Sequence, residues 1–315
     1  MKLPATTPTI AVVGSLNLDT IVSVPHLPQA GGTVTAEGWE MRYGGKGANQ
    51  ALAACRQGAI VSMIGCVGND SYGPAYLDYL MSQGMNVTGI STRIDCGTGS
   101  ALVYVNPEGE NSIVVLRAAN GLLTRDDVLA QSTVLETADI VLCQLETTLE
   151  ATVAALRRAN ELHKTTIFNP SPLLAEFPWG HVTLDFLIVN ERESAALLGF
   201  FAESTSDAPQ IRAKMAGLGV STLIITRGPL PTFAFSAHQA LKVPTPQVDV
   251  VDTVGAGDAF TGAFAVHWGQ TRDLLGSIRK ANIAGALTTT RPGAQEAIPT
   301  REEVDDFGKK PGEED

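Results

Sequence analysis

Apolar residues along this chain gather into short runs that alternate with stretches of helical spacing. Runs at Ile10–Val13, Val61–Val67, Ile140–Leu145, Thr165–Asn169, Phe186–Val189 and Thr222–Thr226 predict strands. Several are apolar almost throughout, as a strand covered on both faces must be. Helical patterns lie at Ala48–Gln57, Gly73–Gln83, Arg125–Thr137, Leu149–Leu162, Arg192–Gly199 and Pro209–Gly217. Such alternation builds right-handed βαβ units. The expected fold is α/β, a doubly wound and mainly parallel sheet with helices on both sides.

Two stretches break the rhythm. Thr20–Tyr43 and Gly99–Arg117 carry alternating, β-rich patterns without a helix between strands, the second with a turn at Asn106-Pro-Glu-Gly109. Antiparallel pairs need no crossover helix, so both read as hairpins of a small β lid. The expected organisation is one domain over residues 1–308, with lid segments 20–43 and 99–117. From Arg301 onward seven acids stand against three bases. A solvated, frayed end is expected there, with 309–315 a flexible acidic tail.

Composition removes several function classes. The 315 residues are 44% hydrophobic and 17% charged, which fits an ordinary folded chain. A net charge of −11 repels phosphate backbones and anionic lipids, so no nucleic-acid or membrane partner is expected. No uninterrupted apolar run is long enough to span a bilayer, and the polar opening Met1–Thr9 is unlike a signal-peptide core. The four cysteines are scattered without a CxxC pair, and the histidines never fall at metal-ligand spacing. A cytoplasmic location is expected.

Candidate chemistry begins with what is missing. Lys46 is followed by Gly47, so no Walker-type phosphate loop occurs, and Phe260 breaks the dinucleotide fingerprint after Gly255-Ala-Gly257. The strongest local signal is Asp252-Thr-Val-Gly-Ala-Gly-Asp258, which leads into the apolar helix Ala259–Trp268. The N–H groups of Gly255, Ala256 and Gly257 would converge at a helix start, an anion site for a phosphate or a developing oxyanion. Asp258 either caps that helix or acts as a general base beside the anion hole.

Three further clusters lie near strand ends. Gly44-Gly-Lys-Gly-Ala-Asn49 opens a helix, its glycines allowing close approach and Lys46 and Asn49 offering donors. Gly14-Ser-Leu-Asn17-Leu-Asp19 follows the first strand, with Asn17 and Asp19 on one face of an extended segment. Their alternative reading is an Asx turn. Glu146 ends one strand, and Asn190-Glu-Arg-Glu193 follows another, either as helix starts or as ligand groups. Polar clusters at successive strand ends, with an anion-binding helix start, point to a polyhydroxylated ligand and a phosphate.

With these motifs in this order, from about Ile10 to Glu303, the chain resembles the ribokinase-like family of sugar and nucleoside kinases. Asn106-Pro-Glu-Gly-Glu-Asn111, Gln144-Leu-Glu146, Asn169-Pro170 and Arg291-Pro-Gly-Ala-Gln295 add to the likeness. The resemblance implies an ATP-dependent sugar kinase acting on the 5-hydroxyl of ribose. Deoxyribose, another sugar, a nucleoside, or sugar binding without catalysis are the rival readings. It implies that Asn17, Asp19, Gly45, Lys46, Gly47, Asn49 and Glu146 hold the sugar. Asp258 would be the base, with Gly255, Ala256 and Gly257 around the anion hole. Asn190, Thr226, Gly228 and Asn282 would contact ATP, and Glu193 would assist Mg²⁺. A K⁺ site is implied at Asp252 and the backbone of Val254, Thr288, Arg291 and Gly293, and a homodimer through the β lids. Two departures stand out. Ala297 occupies a position where a serine oxygen often approaches the cation, and Pro231 replaces a glycine of the nucleotide loop, fixing φ and removing an N–H.

Overall fold

The computed structural model describes residues 6–309, so the expected acidic tail beyond Lys309 lies outside the described residues. In chain order, β1 (Thr9–Val13) is followed by β2 (Asn17–Ser23), β3 (Gly38–Gly44), α1 (Lys46–Arg56), β4 (Ile60–Gly68) and α2 (Tyr72–Ser82). Next come β5 (Asn86–Arg93), β6 (Ser100–Val105), β7 (Asn111–Leu116), α3 (Arg125–Ala130), α4 (Ser132–Thr137) and β8 (Ile140–Cys143). The middle of the chain forms α5 (Leu149–Glu161), β9 (Thr165–Phe168), β10 (Leu184–Asn190), α6 (Glu191–Leu198) and α7 (Ala208–Leu218). It closes with β11 (Val220–Arg227), β12 (Leu230–Ser236), β13 (Ala240–Val243), α8 (Ala256–Thr271), α9 (Leu274–Thr288) and α10 (Arg301–Phe307).

Nine strands form one sheet in the order β13-β12-β11-β10-β9-β8-β1-β4-β5. It is parallel from β11 to β5, and β12 runs antiparallel to both its neighbours. The central strand explains its own composition. Ile10 and Val12 pack into a core shared with α1, α8 and α9, while Ala11 and Val13 face a second core under α3, α5 and α7. Helices cover both faces, so Ile10 to Val13 are apolar throughout, and only the half-buried first residue, Thr9, is polar. Full burial of each larger side chain there stabilises the fold by about 1.5–3 kcal/mol.

The four-stranded second sheet has the order β3-β2-β6-β7. Its two expected hairpins are present, and a parallel β2–β6 pairing joins them into one surface. The hairpins therefore act as one lid, rooted where β2 begins at Asn17 beside Gly99.

Several elements differ from the sequence reading. The helix expected over Arg125–Thr137 breaks at Gln131 into α3 and α4. Strands β5 and β13 close the two sheet edges, where one face is less covered and the continuous apolar signature fades; β12, buried on both faces at Phe233–Phe235, has an apolar run too short to stand out. Over Arg301–Phe307 the acid-rich stretch is not frayed: α10 starts with a Thr300–Glu303 capping box, buries Val304, and pairs Asp305 with Lys280 at 2.6 Å. Its Glu302 and Glu303 fall in the first turn, where the helix dipole favours negative charge. Among the described residues no helix is long and apolar enough to cross a membrane.

Candidate active site

The two glycine-flanked helix starts, α1 and α8, look alike in sequence and end up chemically opposite. Gly45 precedes α1 with φ of 87°, and a Cβ there would sit 2.8 Å from the Asn17 nitrogen. Glycine is required on both counts. The first N–H groups of α1 are then taken up by distant partners. Lys46 N–H donates to Glu146 Oε2 at 3.0 Å, Gly47 N–H to Ser15 Oγ at 3.3 Å, and Ala48 N–H to the Ser15 carbonyl at 3.0 Å. Ser15 in turn donates to Glu146 Oε2 at 2.6 Å. Glu146 is thus neither a cap of its own helix nor idle: it completes the start of α1, with its second oxygen free of these contacts. This helix start is satisfied and has no N–H left for a phosphate.

Helix α8 keeps its N–H groups free. Gly255 enters it with φ of 79° and no side-chain cap. Among the described residues, the Gly255 and Gly257 N–H groups have no partner in the chain, and that of Ala256 makes only a 3.4 Å contact with the Thr253 carbonyl. A Cβ on Gly257 would meet nothing within 4 Å, so the space beside that residue is open, whereas a Cβ on Gly255 would sit 3.1 Å from the Ala294 Cα. Asp258, buried, does not cap the helix. Its Oδ2 accepts from Asn49 Nδ2 at 3.0 Å and its Oδ1 from Gln50 Nε2 at 2.9 Å. The capping alternative is set aside by those two bonds.

Around this point stand the other polar residues singled out in the sequence. Asn17 is not in an Asx turn; it opens β2, and its Oδ1 accepts from Asn120 Nδ2 at 2.8 Å. Asp19 Oδ1 accepts from the Ala101 N–H at 2.9 Å, tying β2 to β6. The Asp258 carboxylate, more than Glu146 or Glu193, holds the Lys46 ammonium above its ordinary range against the opposing effect of burial. Burial, and to a lesser degree the Glu146 charge, pushes the Asp19 carboxyl up to about 6, although the Ala101 N–H works the other way. An ionised Asp19 accepts hydroxyl hydrogen bonds that its protonated form gives up in part. The KM for sugar is therefore expected to rise as pH falls below about 6, with kcat less affected. Initial-rate measurements between pH 5 and 8 check this; a flat KM across that range removes Asp19 from sugar recognition.

Beside α8 lies a cavity of about 310 Å³ between the β11–β12 turn, the 245–250 segment and α9. Thr226, Gly228 and Asn282, named from the sequence, line it together with Ala256 and Gly257. The apolar part of its wall includes Pro246, Val248, Val250, Phe260 and Ala286, which no motif marked. They are apolar groups at irregular spacing, so nothing in the sequence distinguishes them from core. Asn282 is largely committed within the fold: it accepts from Thr232 Oγ1 at 2.7 Å and donates to the Pro244 carbonyl at 2.9 Å. Pro231 lies within β12, outside the lining, and the turn itself is made by Gly228 and Pro229. Asn190 is also outside the lining; it caps α6, exchanging hydrogen bonds with Glu193 at 2.8 and 2.9 Å. A larger groove of about 630 Å³ between α3 and α5 shares none of these residues.

At the proposed K⁺ position, the Asp252 carboxylate bridges two loops, accepting from Val254 N–H at 3.0 Å and Gly293 N–H at 2.9 Å. The Arg291 side chain pairs with Glu303, leaving its backbone to the loop. Both oxygens of Asp252 are thus engaged by backbone N–H groups of the two loops that the resemblance implies around a cation. Ala297 is fully buried there and adds no side-chain oxygen.

An open anion-binding helix start, a buried carboxylate beside it, an adjoining cavity and a polar lid-covered cleft define a phosphoryl-transfer enzyme acting on an alcohol. The model of the pfkB family of carbohydrate kinases matches residues 7–301, and the chain belongs to that family. It is an ATP-dependent carbohydrate kinase. The chain is 33% identical to the ribokinase of Haemophilus influenzae over 95% of its own length and 98% of the relative's. It is 31% identical to the deoxyribokinase of Salmonella typhi, again over 95% and 98%. The structure of Arabidopsis thaliana ribokinase complexed with ribose and ATP superposes with a TM-score of 0.84 at 28% identity, over 96% of this chain and 99% of that one.

Proposed function

We propose that this enzyme transfers the γ-phosphoryl group of ATP to the 5-hydroxyl of D-ribose, with Asp258 as general base. The observation that carries the reading is the placement of a buried carboxylate, held by Asn49 and Gln50, directly beside unpaired N–H groups at the start of α8. Asp258 takes the hydroxyl proton as the oxygen attacks. The N–H groups of Gly255 and Gly257 receive charge developing on the transferred phosphoryl oxygens, as preorganised donors cost no reorganisation during the reaction. Asn17, Asp19, Asn49, Lys46 and the free oxygen of Glu146 orient the sugar, with Gly45 and Gly47 allowing the chain to approach it. The apolar cavity takes the adenine, with Thr226 and Gly228 towards its phosphates. Mg²⁺, which travels with the nucleotide, neutralises phosphate charge, and Glu193 stands near enough to Lys46 to influence that region. Lid closure excludes water that competes as acceptor.

Turnover across ribose, 2-deoxyribose, hexoses and nucleosides, with the phosphorylated carbon assigned by NMR, tests this reading. Ribose 5-phosphate as the main product is expected. Preference for 2-deoxyribose would favour the second reading, for which the Salmonella typhi relative speaks, and absence of any sugar turnover would overturn both. A bound K⁺ would draw its charge partner from Asp252 and would take carbonyls from Val254, Thr288, Arg291 and Gly293. Losing one neutral oxygen at position 297 leaves that charge in place, so activation by K⁺ is expected to survive. Ala297→Ser should lower the half-activating K⁺ concentration without changing the maximal rate. Identical activation curves for parent and variant would remove position 297 from the cation shell.

Exposed apolar side chains on the lid, with Trp39 at 68% and Ile113 and Val115 at 54% and 56%, support pairing of lids from two copies. Sedimentation of the enzyme as a monomer at micromolar concentration would refute the homodimer. ATP use and four free cysteines fit a cytoplasmic enzyme.

A further inference from the structure

Among the described residues, four other helical starts carry an acid at the third position, and all four use it in the same way. Asp127, Glu193, Asp207 and Glu303 each fold back to accept the backbone N–H of the capping residue, at 2.8, 2.9, 3.0 and 2.8 Å. Asp258 occupies that same third position of α8, after Gly255, Ala256 and Gly257. Those four starts follow an extended Thr, Asn or Ser whose side chain completes the box, whereas α8 follows Gly255 in the left-handed region with no side chain to reciprocate; there the carboxylate turns away, and the Gly255 N–H is left without a partner among the described residues.

What holds Asp258 away is a pair of amides from α1, and Gln50 is the better anchored. Gln50 is fully buried, and its amide nitrogen has two hydrogens with two acceptors: Asp258 Oδ1 at 2.9 Å and Asn169 Oδ1 at 3.0 Å. Its oxygen accepts from Gln144 Nε2 at 2.7 Å. Asn169 is oriented in turn by donating to the Ile188 carbonyl at 2.9 Å. A flipped Gln50 would set its oxygen against two acceptors and its NH₂ against a donor, so the network permits one orientation only. Asn49 is held on the other side by Gln295 Nε2 at 3.0 Å.

We propose that Gln50, backed by Gln144 and Asn169, is the positioning residue that diverts Asp258 from capping its own helix. One displaced carboxylate then yields two catalytic features: a base turned toward the sugar hydroxyl, and helix N–H groups left open for phosphoryl oxygens. Without the diversion Asp258 fills the anion hole itself. This rests on the reading of Asp258 as the base.

Gln50→Met keeps length and removes the donor. We expect kcat to fall about 10²-fold, as for a misplaced reacting group, with KM for sugar and ATP within about threefold, since ground-state contacts persist. In an Asp258→Asn background the same substitution should change kcat by less than about twofold, because both act through one carboxylate. In a crystal structure of the Gln50→Met enzyme, the Asp258 carboxylate should accept the Gly255 N–H. If Gln50→Met does not fold, Gln144→Met leaves the Gln50 donor but frees it to rotate, and should lower kcat less while showing the same non-additivity. Losses that multiply in the double variants, or a carboxylate that stays in place, would overturn the role of Gln50. Near-normal turnover of Asp258→Asn alone would instead remove the base assignment, so the two failures are distinguishable.

Discussion

Asp258→Asn is expected to lower kcat by roughly 10²–10⁴-fold, the usual worth of a positioned general base, while sugar still binds. The substitution preserves volume and position on α8 but removes the proton acceptor. It also does something the sequence would not suggest. Both oxygens of Asp258 accept amide hydrogens, one from Asn49 and one from Gln50. An asparagine must turn its own NH₂ toward one of them. Gln50 is fixed by Gln144 and Asn169, so the NH₂ is expected to face Asn49, whose amide can respond only by giving up its bond from Gln295. An orphaned buried donor costs about 1–3 kcal/mol, so a modest fall in melting temperature accompanies the loss of rate. Steady-state kinetics with calorimetric titration of the sugar separate the two effects. Turnover within a fewfold of the parent enzyme would sink the assignment of the base.

The sugar side yields the second large effect. Asp19→Ala is expected to weaken sugar binding about tenfold or more, because sugar hydroxyls left without their acceptor in a closed cleft cost about 1–3 kcal/mol. ATP affinity should be nearly unchanged, since no nucleotide-cavity residue touches Asp19. The stability of the variant carries a separate signature. Burial raises the folded-state pKa of Asp19 from 3.8 to about 6, so between those values the folded protein binds more protons than the unfolded chain. Stability from this group therefore increases as pH is lowered from 7 through that window and declines as pH rises. The parent should gain on Asp19→Ala in thermal melts taken at pH 5 relative to pH 7. Equal loss of sugar and ATP binding would mean a folding defect in place of a lost contact, and a pH-independent difference in melting would place the Asp19 charge in water.

Much of this enzyme is legible in its residues because burial on one or two faces leaves a periodic trace. The uniform apolarity of Ile10–Val13 foretold a strand sandwiched between helix layers, and the alternation in Thr20–Tyr43 and Gly99–Arg117 foretold a sheet with one face less covered. Gly255-Ala-Gly-Asp258 announced a helix start suited to an anion, since small residues and a positive φ are local backbone requirements. Asn17 and Asp19 were placed correctly beside a strand end for the same local reason. The edges were less legible: β5 and β13 have less covered faces, β12 buries only a short run around Phe233–Phe235, and α10 hid its buried Val304 among acids.

Pairing between distant side chains left no such trace. Two similar glycine-flanked helix starts became a consumed one and an open one only because Ser15 and Glu146 reach α1, while among the described residues nothing reaches the N–H groups of Gly255 and Gly257. The same acid-at-third-position pattern gave a capping box at Glu193 and a presented carboxylate at Asp258. The first follows a capping Asn190 and the second a left-handed Gly255, and the Asp258 carboxylate is held by a hydrogen bond from Gln50, 208 residues away along the chain. Periodicity and turn chemistry are properties of neighbouring residues and can be read from their order. The direction a polar group finally faces depends on which donor and which acceptor packing brings within about 3 Å, and only the tertiary structure decides that.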